Sequence, residues 1–229
     1  MIERQLVTIT FFHFKGLSNC FWALKMMQFA HKPLSEIEGL QFYKLMGSGG
    51  GNGFAWHPNF GVFAMLCCWD EPEYFHQFKE KSSILKAYEQ RSEKRKTYYL
   101  NPASTQGTWS GQKPFKISEE KKTNGKLAIL TRATIKTKEL TYFWKKVPKI
   151  SEQIKSSDGC EFSIGIGEWP VFQQATFSVW ESQDAMKKFA YNHKLHAEAI
   201  KLTKERDWYS EEQFTRFNVF DSIDGFMST

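Results

Sequence analysis

Two histidines near the end of the 229-residue chain, His193 and His196, have the types and spacing to do chemistry. Three residues apart on a helix, their side chains lie on roughly the same side. His196 stands among apolar residues and is followed by the small Ala197 and Ala199, which would let a flat ligand approach the helix. A neutral imidazole in an apolar wall is a typical axial ligand of haem iron. The alternative is a hydrogen-bonded, partly buried histidine with no ligand.

Arg132 is the second unusual residue, because it interrupts an apolar, β-branched stretch at residues 127–135. That composition is typical of a strand covered on both faces. A buried guanidinium is costly unless an anion pairs with it. Its partner is either a structural glutamate or, if a haem binds, a propionate or an oxygen ligand. Arg216, on a strand predicted at residues 213–220, raises the same question more weakly.

Other kinds of site fail on spacing. The glycine run at residues 47–53 contains no G-x-G-x-x-G and no following Lys-Ser/Thr pair, so it predicts a hairpin loop rather than a phosphate loop. The chain has no G-x-S-x-G elbow. Its four cysteines contain no C-x-x-C pattern, and we expect them to be reduced core thiols.

The composition is that of a globular protein, with 41% hydrophobic and 24% charged residues. Aromatic residues make up 16%, which indicates an apolar pocket, a large interface or an aromatic-rich core. The net charge is +6, but the basic clusters are mixed with acids, so we predict no nucleic-acid partner. Weak attraction to an anionic membrane surface stays open. No apolar run approaches the ~20 residues of a membrane span, and we expect a cytoplasmic protein, peripheral to the inner membrane face at most.

The chain repeats itself. Gly39 and Gly159 are 120 residues apart and open similar strands, and Trp69 and Trp180 are 111 apart at the ends of the strands that follow. The difference is an insertion near the glycine run. Self-similarity at long spacing marks a duplicated unit, and each unit is predicted to be β-α-β-β-α-β, which is the ferredoxin-like plan. We predict an N-terminal unit at 1–108, a connector at 109–125 and a C-terminal unit at 126–229.

Several motifs together resemble the spheroidene monooxygenase family, which are carotenoid-modifying oxygenases. The resemblance covers residues 6–220. It implies an α+β fold of the dimeric α+β barrel type within one chain, a haem b cofactor, and oxygen insertion into an apolar polyene. It implies that His196 is the iron ligand, with His193 as the alternative, and that Arg132 is a distal or propionate-binding residue. The motifs are Lys44-Leu45-Met46-Gly47-Ser48-Gly49, Trp109-Ser110-Gly111, Leu130-Thr131-Arg132-Ala133-Thr134-Ile135, Ile164-Gly165-Ile166-Gly167-Glu168 and His196-Ala197-Glu198-Ala199-Ile200.

The function expected from this resemblance is haem-dependent oxygenation of a long apolar molecule, with dioxygen as co-substrate. Arg132, joined by Thr134, Ser178 or Arg216, would stabilise negative charge on bound oxygen or anchor the propionates. An external electron donor such as ferredoxin is implied, because no flavin or nicotinamide motif is visible. Two alternatives stay open: a haem lyase or peroxidase related to aldoxime dehydratases, and a non-catalytic haem-binding protein. A homodimer is an option that the barrel does not require.

Overall fold

The computed structural model describes residues 5–50, 55, 57–117, 125–145, 154, 157–169, 171–192, 202–203 and 205–226. The strands are β1 Leu6–Phe14, β2 Leu40–Gly49, β3 Pro58–Trp69, β4 Ser92–Gly107, β5 Leu127–Ile135, β6 Cys160–Trp169, β7 Gln173–Trp180 and β8 Tyr209–Phe226. The helices are α1 Leu17–Phe29, α2 His31–Ser35, α3 Pro72–Lys81, α4 Ser83–Arg91 and α5 Gln183–Asn192. A 3₁₀ turn at Thr137–Glu139 leads into helical residues 140–145.

The eight strands form a closed antiparallel barrel in the order β1-β3-β2-β6-β7-β5-β8-β4, and β4 pairs back with β1. Each half has its own four strands in the order fourth, first, third, second, which is the sheet of a β-α-β-β-α-β unit. The halves meet where β2 pairs with β6 and where β4 pairs with β8. The predicted duplicated α+β barrel is therefore confirmed, and one chain closes it without a second copy.

The interior of the barrel is filled with side chains. Phe11, Tyr98, Phe162 and Phe177 pack against one another with ring centroids 5.1–6.3 Å apart. Aromatic rings at these separations attract one another beyond the area that they bury. The packed side chains inside the barrel therefore stabilise the fold rather than bind a ligand.

The chain after β4 covers one mouth of the barrel. Trp109 is fully buried in the barrel core, and its ring lies 5.7 Å from that of Phe42. Phe115 follows and packs edge-on against Phe217 at 5.2 Å. These two aromatic residues fall in the predicted connector, so part of that segment is a plug of the barrel.

The outer faces of the two half-sheets are covered differently. In the N-terminal unit, α1 to α4 bury a continuous apolar cluster against β1–β4. In the C-terminal unit, α5 packs Met186 and Phe189 on the sheet, with the Phe189 ring 5.3 Å from Trp180, as the periodicity of this helix predicts. Residues 140–145 cover the other end of that sheet. In the described part of the chain, no helix is long and apolar enough to cross a bilayer.

Candidate active site

Arg132 lies inside the barrel, next to the covered mouth, and is 1% exposed. Its Nη1 is hydrogen-bonded to a carboxylate oxygen of Glu211, and its Nη2 lies 3.5 Å from Glu168 Oε2. The guanidinium carbon is 5.7 Å from the ring centroid of Trp109. The pairing with a structural glutamate, one of the two partners weighed for Arg132, is present.

The two glutamates tie Arg132 to other segments. The ammonium of Lys44 on β2 donates to Glu168 at 2.7 Å, across the seam between the two units. Glu211 accepts hydrogen bonds from the backbone N–H groups of Ser110 at 3.1 Å and Gly111 at 2.7 Å. Burial by itself raises the pKa of Glu211, but these two N–H groups and Arg132 outweigh it and hold the pKa below its ordinary value. The network therefore links β2, β5, β6, β8 and the segment after β4 at the covered mouth of the barrel.

Thr134 lies two residues beyond Arg132 and is half-buried. Because side chains alternate along a strand, Thr134 shares the face of Arg132. Its strand neighbours are Gln173 on β7 and Glu211 on β8. The two β5 residues predicted to act on a bound ligand thus belong to the interior side of the sheet.

Ser178 and Arg216 lie on the opposite side, which faces the helices. Ser178 is paired with Ser163 on β6 and with Ile129 on β5, and Ile129 is paired with Arg216 on β8. Ile129 packs against the cluster under α5, which identifies the helix-facing side. A single row across four strands therefore carries both Ser178 and Arg216.

Apart from Phe214, the next two rows on this face carry small or polar side chains. The second row is Gly165, Thr176, Thr131 and Phe214, and the third is Gly167, Gln174, Ala133 and Glu212. The middle of a helix-covered sheet normally carries large apolar side chains, because their burial holds the two layers together. In rows two and three of this face, Phe214 is the single large apolar side chain.

The N-terminal unit shows what such a face contains when it is packed. The strand registers match position by position, with offsets of 120 residues on the second strand and 111 on the third. All the N-terminal residues compared here except Tyr43 are buried beneath the helices. At the matching positions the C-terminal unit carries smaller or more polar residues. The pairs, with the N-terminal residue first, are Tyr43 and Ser163, Leu45 and Gly165, Phe63 and Gln174, Met65 and Thr176, Cys67 and Ser178, and Phe12 and Ala133.

A small cavity lies where those side chains are missing. Thr131, Ala133, Gln174 and Thr176 form its floor, and Phe143, Trp144 and Tyr209 are among its other lining residues. Thr131 is solvent-exposed although it sits in mid-strand, whereas Thr10 at the equivalent N-terminal position is 9% exposed. Burial raises the pKa of Tyr209, so this phenol stays neutral and polar at the cavity wall. Among the described residues, the cavity therefore lies over Thr131 and Thr176 of row two and over Ala133 and Gln174 of row three.

Two polar atoms on this face have no hydrogen-bond partner among the described residues: Ser163 Oγ and Arg216 Nε. Buried polar groups are normally paired, so these two atoms are candidates for contact with a bound group. Ser178 differs, since its Oγ accepts a hydrogen bond from Trp180 Nε1 at 3.0 Å. Within the same described ranges, no three His, Cys, Asp or Glu side chains converge as a metal site.

The structure thus divides the predicted site residues. Ser178 and Arg216 are brought together on the helix-facing side, while Arg132 and Thr134 are on the other. His193 and His196, predicted as iron ligands, lie outside the described residues. Five small or polar residues of this face were not predicted from the sequence, although aligning the two units at their spacings of 120 and 111 residues exposes all of them except Thr131. The missed residues are Thr131, Ser163, Gly165, Gln174 and Thr176.

Curated proteins similar to this chain are spheroidene monooxygenases. The protein from Rhodobacter capsulatus is 33% identical over 224 residues, covering 97% of this chain and 93% of the relative. The protein from Cereibacter sphaeroides is 33% identical, covering 96% and 68%. The protein from Rubrivivax gelatinosus is 31% identical, covering 84% and 73%. No family model matches the chain.

Among solved structures, an aldoxime dehydratase in complex with butyraldoxime superposes with a TM-score of 0.64 at 9% identity, covering 97% of this chain and 82% of that one. A second aldoxime dehydratase structure gives 0.61 at 8% identity, covering 96% and 82%. These similarities establish a shared fold, which many reactions can use. The sequence similarity over nearly the whole length is the more specific result: this chain belongs to the spheroidene monooxygenase family and is a monooxygenase.

Proposed function

We propose that this enzyme is a haem-dependent monooxygenase whose cofactor binds between the C-terminal sheet and the layer that covers it. The observation that carries the proposal is the loss, relative to the N-terminal unit, of the large side chains on the helix-facing side of that sheet. Leu45, Met65 and Phe63 pack the N-terminal interface, and glycine, threonine and glutamine stand at the matching positions. Replacing large apolar side chains with small ones at the centre of a sheet–helix interface leaves a destabilising cavity, unless a bound group fills the space.

The residues on this face suit a flat, largely apolar group with an anionic edge. Gly165 and Ala133 leave room above the strands, and the rings of Phe143 and Trp144 supply an apolar wall. Arg216 brings a positive charge to the same face, with its Nε still available to donate. Arg216 is the described residue we assign to a propionate or to negative charge that develops on bound oxygen. Ser163 would add a neutral donor in the same row.

The iron ligand is proposed to be His196, with His193 as the alternative. α5 packs on the C-terminal sheet through Met186 and Phe189 and ends at Asn192, and the two histidines follow directly in the sequence. When bound, the haem b supplies an iron centre at which dioxygen is activated with electrons from a donor protein such as ferredoxin. The residues of this chain hold the cofactor, exclude water from its apolar side and place the substrate.

The substrate class is proposed to be a carotenoid-like polyene, in keeping with the name of the curated relatives. A long hydrocarbon gains binding energy only from apolar contact, and aromatic walls provide it over a large area. Because the barrel core is filled, the helix-facing side of the C-terminal sheet is where such a molecule would meet the cofactor.

The cofactor proposal is tested by visible absorption of purified wild-type protein after haem reconstitution. We expect a Soret band in the wild type, its loss in His196→Ala, and its retention in His76→Ala, a control that removes an exposed histidine from α3. A Soret band that survives in both His196→Ala and His193→Ala, or one that never forms in folded wild type, would overturn the assignment.

The reaction is tested separately. With an acyclic carotenoid, dioxygen, ferredoxin and its reductase, we expect an oxygenated carotenoid that carries ¹⁸O from labelled dioxygen. Anaerobic conversion of an aldoxime by the ferrous protein, with no carotenoid product under air, would instead favour the lyase alternative.

A further inference from the structure

The helix α1 carries apolar residues on both its inner and its outer side but is covered on one side only. Its inner side packs Ala23, Met26 and Met27 onto the N-terminal sheet. A helix that is apolar all round is normally buried all round. The outer side instead exposes four large apolar residues, at 91%, 59%, 42% and 64% of their surface: Leu17, Phe21, Leu24 and Phe29.

Three of these residues form a stripe. At 100° per residue, Leu17, Phe21 and Leu24 fall within a sector of about 60°, and Phe29 lies about 80° from Phe21, on the far side of Lys25. Scattered exposed apolar residues are ordinary on protein surfaces, but a contiguous patch on one element marks a contact surface. The question is what covers it.

The charges around α1 indicate an anionic partner. Residues 11–35 contain Lys15, Lys25 and Lys32 and no aspartate or glutamate. The Lys25 ammonium lies 4.6 Å from the ring centroid of Phe21, so positive charge stands directly beside the apolar stripe. The charge of Lys15 is partly compensated, because its ammonium lies 3.6 Å from a carboxylate oxygen of Glu93.

We propose that the outer side of α1 docks on an anionic lipid bilayer, with the helix lying in the plane of the interface. With its inner side packed on the sheet, α1 presents to solvent an apolar stripe flanked by lysines, and such a surface can enter the headgroup region while its ammonium groups meet lipid phosphates. A second copy of this chain fits less well, because a two-fold contact through the stripe would bring Lys25 of both copies close together.

This surface is independent of the cofactor proposal. α1 covers β1–β3 of the N-terminal unit, whereas the candidate haem site belongs to the C-terminal sheet. Docking through α1 therefore does not require the haem, and the two proposals can fail separately.

The test is co-sedimentation of the purified full chain with sucrose-loaded vesicles. Vesicles of phosphatidylcholine with 30% phosphatidylglycerol are compared with pure phosphatidylcholine at low and high salt. We expect wild type to bind the anionic vesicles, with binding weakened by salt. Phe21→Glu should lower the partition coefficient by about tenfold or more, and Lys25→Glu, which replaces one positive with one negative charge, by more than the roughly fivefold expected for the loss of one basic charge.

A matched control is Ile223→Ser, which removes an exposed apolar residue from β8, 44% exposed, and should bind like wild type. Circular dichroism confirms that each variant is folded. Absence of binding in the wild type, equal loss in Ile223→Ser, or binding that Phe21→Glu leaves intact would overturn the proposal. A dimer in solution that Phe21→Glu converts to monomers would overturn it in favour of a second copy.

Discussion

The indole Nε1 of Trp180 donates a hydrogen bond to Ser178 Oγ at 3.0 Å, two residues earlier on β7. In the N-terminal unit the equivalent tryptophan, Trp69, donates instead across the sheet to Thr8 Oγ1, also at 3.0 Å. The position that matches Thr8 is Ile129, which cannot accept. In both units the buried indole N–H has a hydroxyl acceptor, but the acceptor lies on β1 in the N-terminal unit and on β7 in the C-terminal unit. This hydrogen bond gives Ser178 a structural role.

Ser178→Ala should leave the Trp180 N–H buried without an acceptor, which costs about 1–3 kcal/mol of the free energy of unfolding. Thr8→Val is the matched change for Trp69 and should cost a similar amount. Urea denaturation measures both. If Ser178→Ala left stability unchanged but abolished product formation, Ser178 would belong to the catalytic machinery instead.

The cavity prediction is tested by exchanging residues between the units. Thr176→Met restores the side chain that packs the matching N-terminal position, Met65. We expect Thr176→Met to fill the cavity and prevent formation of the Soret band, while the free energy of unfolding of the apoprotein stays the same or rises, because buried apolar area increases.

The reverse exchange is the control for that experiment. Met65→Thr removes a buried side chain from the N-terminal interface and should lower the free energy of unfolding by about 2–4 kcal/mol. It should leave haem binding intact. Loss of haem binding in Met65→Thr, with retention in Thr176→Met, would contradict the location proposed for the cofactor.

Arg132→Met is expected to act on stability. It leaves Glu211 and Glu168 without their buried counter-charge, and breaking a buried ion pair costs about 3–5 kcal/mol. Adding Glu211→Gln should restore part of the loss, because one uncompensated carboxylate is removed. The Soret maximum of the folded variant should match wild type, since Arg132 faces the barrel interior. A displaced Soret maximum would support the other role predicted for Arg132, contact with the cofactor.

The same network predicts a pH dependence of stability. The pKa of Glu211 is lower in the folded protein than in the unfolded chain, so acidification protonates the unfolded chain first. The stabilisation is present above the unfolded pKa, near 4.3, and is lost as the pH falls through the folded value. The stability difference between wild type and Glu211→Gln, measured by thermal unfolding, should therefore shrink on acidification below pH 4.3. A difference that does not change with pH would argue against the shift.

Arg216→Gln tests the positive charge on the helix-facing side. A hydrogen bond from a charged donor contributes about 1.5–3 kcal/mol, so the variant should bind an anionic ligand such as fluoride about tenfold more weakly in the ferric haem protein. Spectral titration measures the affinity, with Arg206→Gln as a control on an exposed residue paired with Glu139. Equal affinity in wild type and Arg216→Gln would exclude Arg216 from contact with an iron-bound anion and leave only the propionate role.

The sequence alone determined the architecture, because the duplicated unit is visible as similar residues at fixed spacings. The spacings of 120 and 111 residues reappear as matched strand registers. The family also followed from local motifs. These features depend on order along the chain, which is what a sequence records.

Only the tertiary structure decided which polar residues share a face. Arg132 and Arg216 both interrupt apolar strands, and the sequence does not tell which side of the sheet each one occupies. In the structure, Arg132 pairs with Glu211 inside the barrel, and Arg216 lies on the outer side of the sheet. Side-chain direction alternates along each strand, so the face that a residue occupies depends on strand register and on which side of the sheet the helices cover. Both are set by pairings between segments far apart in the chain, and these segments meet only when the barrel closes.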